Sequence, residues 1–407
     1  MSETNELTEH FFRHNYARMI AILAKYFGLK EISLIEDIVQ DTLVEAMEKW
    51  SVRDIPYNPE GWLMDVAKKK AINYLKRDQN FRTKILPGLN QESIFEMEKD
   101  VQGDDTLRMI FACCHPNIPT ESQISLALKT LCGLSVKEIA SALLTSEGNI
   151  NKRLYRTKQK FRKGEIPFNI PKSEILDERL DGVIATLYLL FNEGYYSSNS
   201  NELIRIDLCF EAIRLVRQIT EFYPTSGRAK ALLSLMYLSV SRFESRVGKE
   251  GATIILSKQD RNLWDKDLIA QGIYNLSESM DSKALGTYHL QAGIAAEHCL
   301  AKDFQSTNWK SIYEQYLLLE QLSENAIFAM NRCIAKFYGY DRKEALQDLI
   351  ALGDRPELQK NVHYFTSVAI FYTELNQKEK AIPFFETALG ISDSKEEKSM
   401  ILNRMGT

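Results

Sequence analysis

The sequence predicts an all-α protein with two small helical domains followed by a larger helical domain. Apolar residues recur every three or four positions along most of the chain, which is the spacing of one face of an α-helix. Breaks containing proline or glycine at 85–104 and 166–171 separate these stretches. A chain of 407 residues is long enough for roughly two or three domains. The predicted division is 1–84, a linker at 85–104, a second unit at 105–165 and a C-terminal domain at 172–407.

The first domain is expected to open with a helical stretch over residues 6–29. Phe12, Tyr16, Ile20 and Leu23 recur at helical spacing within it. Gly28 is suited to end this stretch, because glycine adopts the left-handed backbone that often follows a helix.

Two amphipathic helices of opposite charge follow within residues 36–77. The first has an acidic polar face, formed by Glu36, Asp37, Asp41, Glu45 and Glu48. The second is basic, and the loop at 51–59 between them carries side chains that can hydrogen-bond to a base or stack on it. This combination suits a module that binds a basic protein surface on one side and nucleic acid on the other. The alternative is a pair of solvated bundle helices, since charged helix faces are usually exposed to water.

Residues 105–165 show the pattern of a helix-turn-helix. Ser135 can cap a short helix, a turn is expected at 144–146, and a basic helix is expected over 147–163. Ile150, Leu154 and Phe161 would form the inner face of that basic helix. Its outer face is predicted to carry side chains that read bases or hold phosphates: Asn149, Asn151, Lys152, Arg153, Arg156, Lys158 and Lys160. The alternative is a basic surface helix of an ordinary bundle.

The remaining part of the chain is predicted to be almost wholly helical. Helical spacing covers 181–193, 203–222, 227–247 and 287–302, whereas 253–256 suggests a short extended piece. Near the end of the chain, Ala335, Tyr338, Ala345 and Leu349 are echoed by Ala369, Tyr372, Ala381 and Phe385. The offsets lie near the period of about 34 residues in tetratricopeptide repeats. Small residues at these positions would let paired helices approach closely.

Charge and composition narrow the functional class. The net charge of −4 does not exclude nucleic acid, because basic stretches lie mainly in the first 165 residues. No apolar run reaches the roughly 18 residues of a membrane span, and the N-terminus lacks the apolar core of a signal peptide. We therefore expect a cytoplasmic protein without a membrane partner. The adjacent residues Cys113, Cys114 and His115 fit one tetrahedral ion poorly, so neither a metal nor another cofactor is expected.

Polar residues in the third domain raise the question of an enzyme site. They are Asn192, Glu193, Asp260, Arg261, Trp264, Asp265 and Asp267. Carboxylates beside a tryptophan do occur in glycosidases. No nucleophile–base pair or phosphate-binding loop accompanies these residues, so we expect a polar network that fixes helix packing, and no catalytic activity.

The first 165 residues resemble the extracytoplasmic-function sigma factors of bacterial RNA polymerase. Region two of that family resembles EDIVQDTL at 36–43, Ala46, Trp50 and the run from Pro59 through Trp62 to Arg77. Region four resembles the helix-turn-helix. The stretches DTLRMIFACCHP, LYLLFNEGYY, QDRNLWDKDLIAQG, YHLQAGIAAEHCLA and AMNRCIA resemble a sigma subgroup with a tetratricopeptide-like C-terminal domain. Together, these resemblances cover essentially the whole chain.

The resemblance implies three binding surfaces. The clamp of core RNA polymerase would contact Asp37, Gln40, Asp41 and Glu45. The melted strand and its phosphates would contact Asp54, Tyr57, Asn58, Lys68, Lys69, Lys70, Asn73, Lys76 and Arg77. The upstream promoter element would contact Asn149, Asn151, Lys152, Arg153, Arg156 and Lys160.

The prediction that follows is an alternative sigma factor that binds core RNA polymerase and promoter DNA and directs initiation at selected promoters. Its fused C-terminal domain is predicted to regulate it by receiving a regulatory protein or ligand. Two other interpretations stay open. The chain could be a tetratricopeptide-repeat scaffold, or a helix-turn-helix regulator that acts without polymerase.

Overall fold

The computed structural model describes residues 2–52, 55–77, 105–165, 177–197, 204–246, 254–280, 285–392 and 395–405. Every regular element in these ranges is a helix and none is a strand, which confirms the predicted all-α class. The predicted linker at 85–104 lies outside the described residues. The chain divides into two compact units, Met1–Gly194 and Tyr195–Thr407.

Three helices open the first unit. They are α1 (Ser2–Phe27), α2 (Ile32–Val52) and α3 (Pro59–Arg77). Gly28 follows α1 with φ of 81°, a left-handed value that an L side chain rarely adopts, so the predicted helix end is confirmed. Ile20, Leu23, Ala46 and Leu63 are completely buried, and they form the core that the three amphipathic helices share.

The helix-turn-helix lies in the next group of helices. These are α4 (Asp105–Cys113), α5 (Thr120–Thr130), α6 (Val136–Ala142) and α7 (Glu147–Arg162). Ser135 accepts a hydrogen bond from the Glu138 N–H, and the Glu138 carboxylate accepts one from the Ser135 N–H, so the predicted cap is a complete capping box. Leu144 makes the turn with φ of 49°, and Ser146 caps α7.

Helix α8 (Asp177–Tyr195) packs against the end of α4. The Arg179 guanidinium donates to the Phe111 carbonyl at 3.1 Å. A Cβ added at Gly182 would lie 3.3 Å from the Cys114 sulfur, so only a small residue allows this approach. Burial raises the pKa of the Cys114 thiol to about 12. The Cys113–Cys114 pair is thus packed as a neutral apolar contact in this helix end.

The second unit begins with α9 (Ile206–Phe222), α10 (Gly227–Val240), α11 (Phe243–Arg246), α12 (Lys266–Ser279) and α13 (Thr287–Leu300). The prediction of one helix over 227–247 was wrong in detail, because a turn at 241–242 divides it. The extended piece predicted at 253–256 was also wrong in its described part. Leu256–Lys258 form a short 3-10 helix, and Ile254 and Ile255 join no strand.

The polar residues suspected of forming an enzyme site have structural partners. Asp265 caps α12 by accepting from the N–H groups of Asp267 and Leu268, and Asp260 accepts from the Asn262 N–H. The Arg261 guanidinium donates to the carbonyls of His298 and Ala301, each at 2.6 Å, and so satisfies the end of α13. These contacts agree with the interpretation of this set as a packing network.

The chain ends in α14 (Trp309–Leu322), α15 (Ala326–Gly339), α16 (Arg342–Ala351), α17 (Val362–Glu374), α18 (Lys378–Ile391) and α19 (Lys395–Met405). Consecutive helices pack against each other. The small residues of the echoed pattern, Ala335, Ala345, Ala369 and Ala381, are all at most 2% exposed, as close helix packing requires. Assignment to the tetratricopeptide family stays a prediction.

Candidate functional site

An exposed acidic strip runs along α2. Asp37, Gln40 and Asp41 face solvent. One and two turns further along, Val44 is 54% exposed and Met47 is 60% exposed. Exposed apolar side chains beside carboxylates form a surface that can bury area and attract a cationic partner at once. We call Asp37, Gln40, Asp41, Val44 and Met47 the α2 strip.

Glu36 does not belong to this exposed face, which corrects the sequence-based prediction. It is only 8% exposed. Its carboxylate forms an ion pair with Lys158 of α7 and accepts a hydrogen bond from the Thr130 hydroxyl of α5 at 3.1 Å. The acidic helix is therefore held against the helix-turn-helix by a carboxylate that the sequence had placed in solvent.

Glu45 has two lysine partners. Lys49 lies 2.6 Å from one carboxylate oxygen and Lys70 of α3 lies 2.9 Å from the other. Hydrogen bonds from Lys49 and then Lys70 lower the pKa of this carboxyl group. Lys70 also donates to the Asp41 carbonyl at 2.9 Å, so this lysine ties α3 to α2. Glu45 therefore presents a neutralised group next to the α2 strip.

The loop between α2 and α3 ends in an exposed aromatic ring. Tyr57 is fully exposed, with nothing packed over its ring. Asn58 is also exposed, and its side-chain oxygen accepts from the Gly61 N–H at 2.9 Å, which caps the start of α3. A Cβ at Gly61 would come within 2.6 Å of the Asn58 amide, so glycine permits this cap. Asp54 lies outside the described residues.

An aromatic cluster lies between α1, α2 and α3. The Trp62 ring is 5.5 Å from Trp50, and Phe12 stacks on Trp50 at 6.0 Å between ring centroids. Trp62 is half-buried, and the Lys49 ammonium lies 5.6 Å from its ring centroid. These contacts fit the packing role that sequence reasoning favoured for Trp62.

Helix α3 offers a sparse basic surface. Lys69 and Asn73 are exposed, Lys68 is half-buried, and Lys70 is engaged with α2. Tyr74 is 55% exposed on the same helix, and sequence reasoning did not select it. Lys76 and Arg77 lie in the last turn of α3, but their side chains are outside the described residues.

Helix α7 offers a denser polar surface. Asn149, Asn151, Lys152 and Arg156 are exposed together with Tyr155, which is 67% exposed and was not selected from the sequence. Asparagine and arginine can bind base edges with two hydrogen bonds each, and lysine can hold phosphates.

Three other basic residues of α7 are less available. Arg153 pairs with Glu121 of α5 and is 25% exposed, Lys160 is half-buried, and Lys158 pairs with Glu36. The partners of Arg153 and Lys158 lie 32 and 122 residues away in the chain. No local pattern in the sequence could have signalled these pairs.

Two general searches complete the description. No helix among the described residues is long and apolar enough to cross a membrane. The described ranges also hold no group of three or more His, Cys, Asp and Glu side chains arranged to bind a metal ion.

Comparison with known families matches three parts of the chain. Residues 11–81 match sigma-70 region 2, and residues 108–161 match sigma-70 region 4. Residues 179–280 match a family of unknown function, DUF6596. The two sigma matches contain α2, α3 and the helix-turn-helix described above.

Two relatives show how far the similarity extends. The uncharacterized protein R00370 of Rhizobium meliloti (strain 1021) is 31% identical over 387 residues, which cover 93% of this chain and 90% of the relative. The ECF RNA polymerase sigma factor SigX of Bacillus subtilis (strain 168) is 20% identical over 165 residues, which cover 38% of this chain and 81% of SigX. No solved structure matches the chain.

The two sigma regions occur in the order region 2 then region 4, each on the helices that the sequence predicted. A long helical extension follows them, and it is shared with a relative that matches nearly end to end. The chain belongs to the sigma-70 family of sigma factors and carries a C-terminal helical extension.

Proposed function

We propose that this chain is an alternative sigma factor that binds core RNA polymerase through the α2 strip and directs it to selected promoters. The observation that carries the proposal is the joint exposure of two surfaces of opposite character in one compact unit. The α2 strip is acidic and apolar, whereas the outer face of α7 is basic and rich in amides. A factor that bridges an enzyme and DNA needs both surfaces to be accessible.

Polymerase binding is assigned mainly to Asp37, Gln40 and Asp41. Glu45 contributes less, because two lysines already neutralise its charge. Val44 and Met47 add apolar area between and beyond the charged residues. The cationic clamp surface of the polymerase is the partner of matching charge.

Promoter contacts are assigned to three places. Tyr57 and Asn58, with Asp54, would receive a base of the melted strand, and stacking on an exposed ring contributes about 1–3 kcal/mol per base. Lys68, Lys69, Lys70, Asn73, Lys76 and Arg77 would follow the phosphates. Asn149, Asn151, Lys152, Arg153, Arg156 and Lys160 would contact the upstream duplex, with Arg153 limited by its pairing with Glu121.

Regulation is assigned to the C-terminal domain. We propose boundaries at 1–84, 85–104, 105–165 and 172–407 for the polymerase-binding domain, linker, helix-turn-helix and regulatory domain. The second unit, Tyr195–Thr407, has its own buried core and a length far beyond what promoter contacts require. A fused domain of this kind could receive a signal that a separate regulator would otherwise deliver.

Run-off transcription with purified core polymerase tests the proposal. Promoter templates selected from genomic fragments are transcribed with the full chain and with core enzyme alone. The proposal predicts discrete products that need both the chain and the core enzyme. The absence of any such product, both for the full chain and for a chain ending at residue 165, would contradict it.

A duplex-binding measurement separates the helix-turn-helix regulator from the sigma factor. A regulator that acts alone should bind its operator tightly without polymerase, at roughly 10⁻⁸ M or better. The proposed sigma factor should bind the same promoter weakly until core polymerase is added.

A further inference from the structure

The second unit contains a cleft of about 930 Å³ that promoter recognition does not explain. Residues from the 3-10 helix Leu256–Lys258, from α13 to α18 and from α19 line it. Ile334, Ile370 and Phe371 are apolar members of this lining. A cleft of this size lies at the upper end of the range of roughly 300–1,000 Å³ for ligand sites.

The charged side chains of the cleft favour an anionic ligand. Lys258, Arg342 and Arg404 line it together with a single carboxylate, Glu374. That carboxylate already accepts from the Tyr338 hydroxyl at 2.9 Å and lies 3.7 Å from Arg342. Positive charge therefore exceeds negative charge in a concave surface, which concentrates the field that attracts anions.

Hydrogen-bonding groups are distributed along the cleft on different helices. Asn331 lies on α15 and Ser367 lies on α17, and neither side chain has a hydrogen-bond partner among the described residues. An asparagine amide both donates and accepts, as a peptide unit does. Small anions are usually bound by donors that converge on one point, whereas groups spread over successive helices match an extended chain.

We propose that this cleft binds an extended acidic peptide segment of a partner protein. Asn331 and Ser367 would bond to the peptide backbone, the apolar floor would take its uncharged side chains, and Arg342 would pair with its carboxylates. The biological consequence, delivery of a signal to the sigma factor, rests on the proposed function. The binding itself does not, and its test contains no polymerase.

Selection of a random octapeptide library displayed on phage against the full chain is the first test. The proposal predicts enriched sequences with an excess of Asp and Glu around one or two large apolar residues. Enrichment without a carboxylate excess, or no enrichment at all, would overturn it.

Synthetic peptides from that selection are then measured by fluorescence anisotropy against three variants. Arg342→Glu and Asn331→Ala should each weaken binding by about tenfold or more, corresponding to loss of a charged contact or a buried hydrogen bond. Lys343→Glu is the matched control, because Lys343 is exposed on the same helix but does not line the cleft. Equal weakening by Arg342→Glu and Lys343→Glu would overturn the assignment to the cleft, since general charge would then explain the binding.

Two further readings make the result decisive. Thermal unfolding must give the same Tm for the variants and the native chain, so that weaker binding reports the cleft and not the fold. Competition with succinate separates the peptide from a small dianion. Full displacement of the peptide at succinate concentrations near the peptide Kd would identify a small-anion site and overturn the peptide proposal.

Discussion

The two basic helices of the first unit, α3 and α7, differ in how their positive charges are arranged. In α3, Lys70 faces α2 and binds both the Glu45 carboxylate and the Asp41 carbonyl, which leaves Lys69 exposed. In α7, Lys158 faces α2 and binds the buried Glu36. The opposite face of α7 keeps a continuous exposed set, namely Asn149, Asn151, Lys152 and Arg156.

The difference shows that a count of basic residues does not measure a nucleic-acid surface. On each helix, the lysine that faces a neighbouring helix stabilises the bundle, and only the residues on the other side can reach a ligand. By this criterion α7 is suited to read bases, whereas the described part of α3 is suited to weaker phosphate contacts.

The largest effect is expected for the buried ion pair. Glu36→Ala leaves the Lys158 ammonium without its partner in a site that is mostly shielded from water. We expect the free energy of unfolding to fall by about 3 kcal/mol, measured by urea denaturation. The double variant Glu36→Leu with Lys158→Met should recover most of this loss, because an apolar pair needs no desolvation of charge. A loss below about 0.5 kcal/mol for Glu36→Ala would place this contact among ordinary surface pairs.

A smaller effect, confined to DNA, is expected on the exposed face of α7. Arg156→Ala should weaken use of the upstream promoter element by about 1–3 kcal/mol, as expected for the loss of one base-reading arginine. Arg153→Ala should weaken it less, because Glu121 already binds this guanidinium. Both variants should bind core polymerase normally. Promoter-dependent initiation and core binding are measured side by side, and an equal loss of both would contradict the separation of surfaces.

Helix α3 is expected to show a weaker, sequence-independent effect. Lys69→Ala should lower the slope of log affinity against log salt by about 1, with little change in promoter choice. Lys70→Ala is the comparison, because Lys70 is occupied by α2 and should change this slope less. A filter-binding titration with a premelted promoter gives both slopes. Equal slopes for the two variants would show that Lys70 also reaches DNA.

The smallest effect is expected for the pair between α2 and α3. Lys70→Ala should destabilise the protein by about 0–1 kcal/mol, the usual range for a partly exposed ion pair. The pKa of Glu45 is lowered in the folded protein, so its contribution is present above the normal glutamate pKa of about 4.3. That contribution disappears as pH falls through the folded pKa. The Lys70→Ala penalty should therefore shrink in acid, and a penalty that grows in acid would contradict this account.

Local rules were enough to predict most of the fold. Helical spacing gave the all-α class, Gly28 gave the end of α1, and Ser135 gave the cap of α6. Each of these features depends on contacts within a few residues, so one stretch of sequence contains the necessary information. The division at 241–242 could not be foreseen, because the apolar pattern continues through the turn.

The candidate surfaces were predictable in part. The alternation of charge selected α2 and α7, and Asp37, Asp41, Asn149 and Arg156 are indeed exposed. The same alternation wrongly placed Glu36 in solvent, since its partners Thr130 and Lys158 are 94 and 122 residues away. A helical wheel shows which residues share a face, but tertiary packing decides which face is covered.

Core binding by a charge-reversed α2 strip tests the central claim most directly. Asp37→Lys combined with Asp41→Lys places two positive charges where the cationic clamp should bind, and its affinity for purified core polymerase is compared with that of the native chain. Asp65→Lys, an exposed carboxylate reversed on α3, serves as the control. The account predicts a loss of about a hundredfold or more for the double variant, near 3 kcal/mol, and little change for the control. Unchanged affinity of the double variant, with its fold intact, would contradict the assignment of the α2 strip to polymerase.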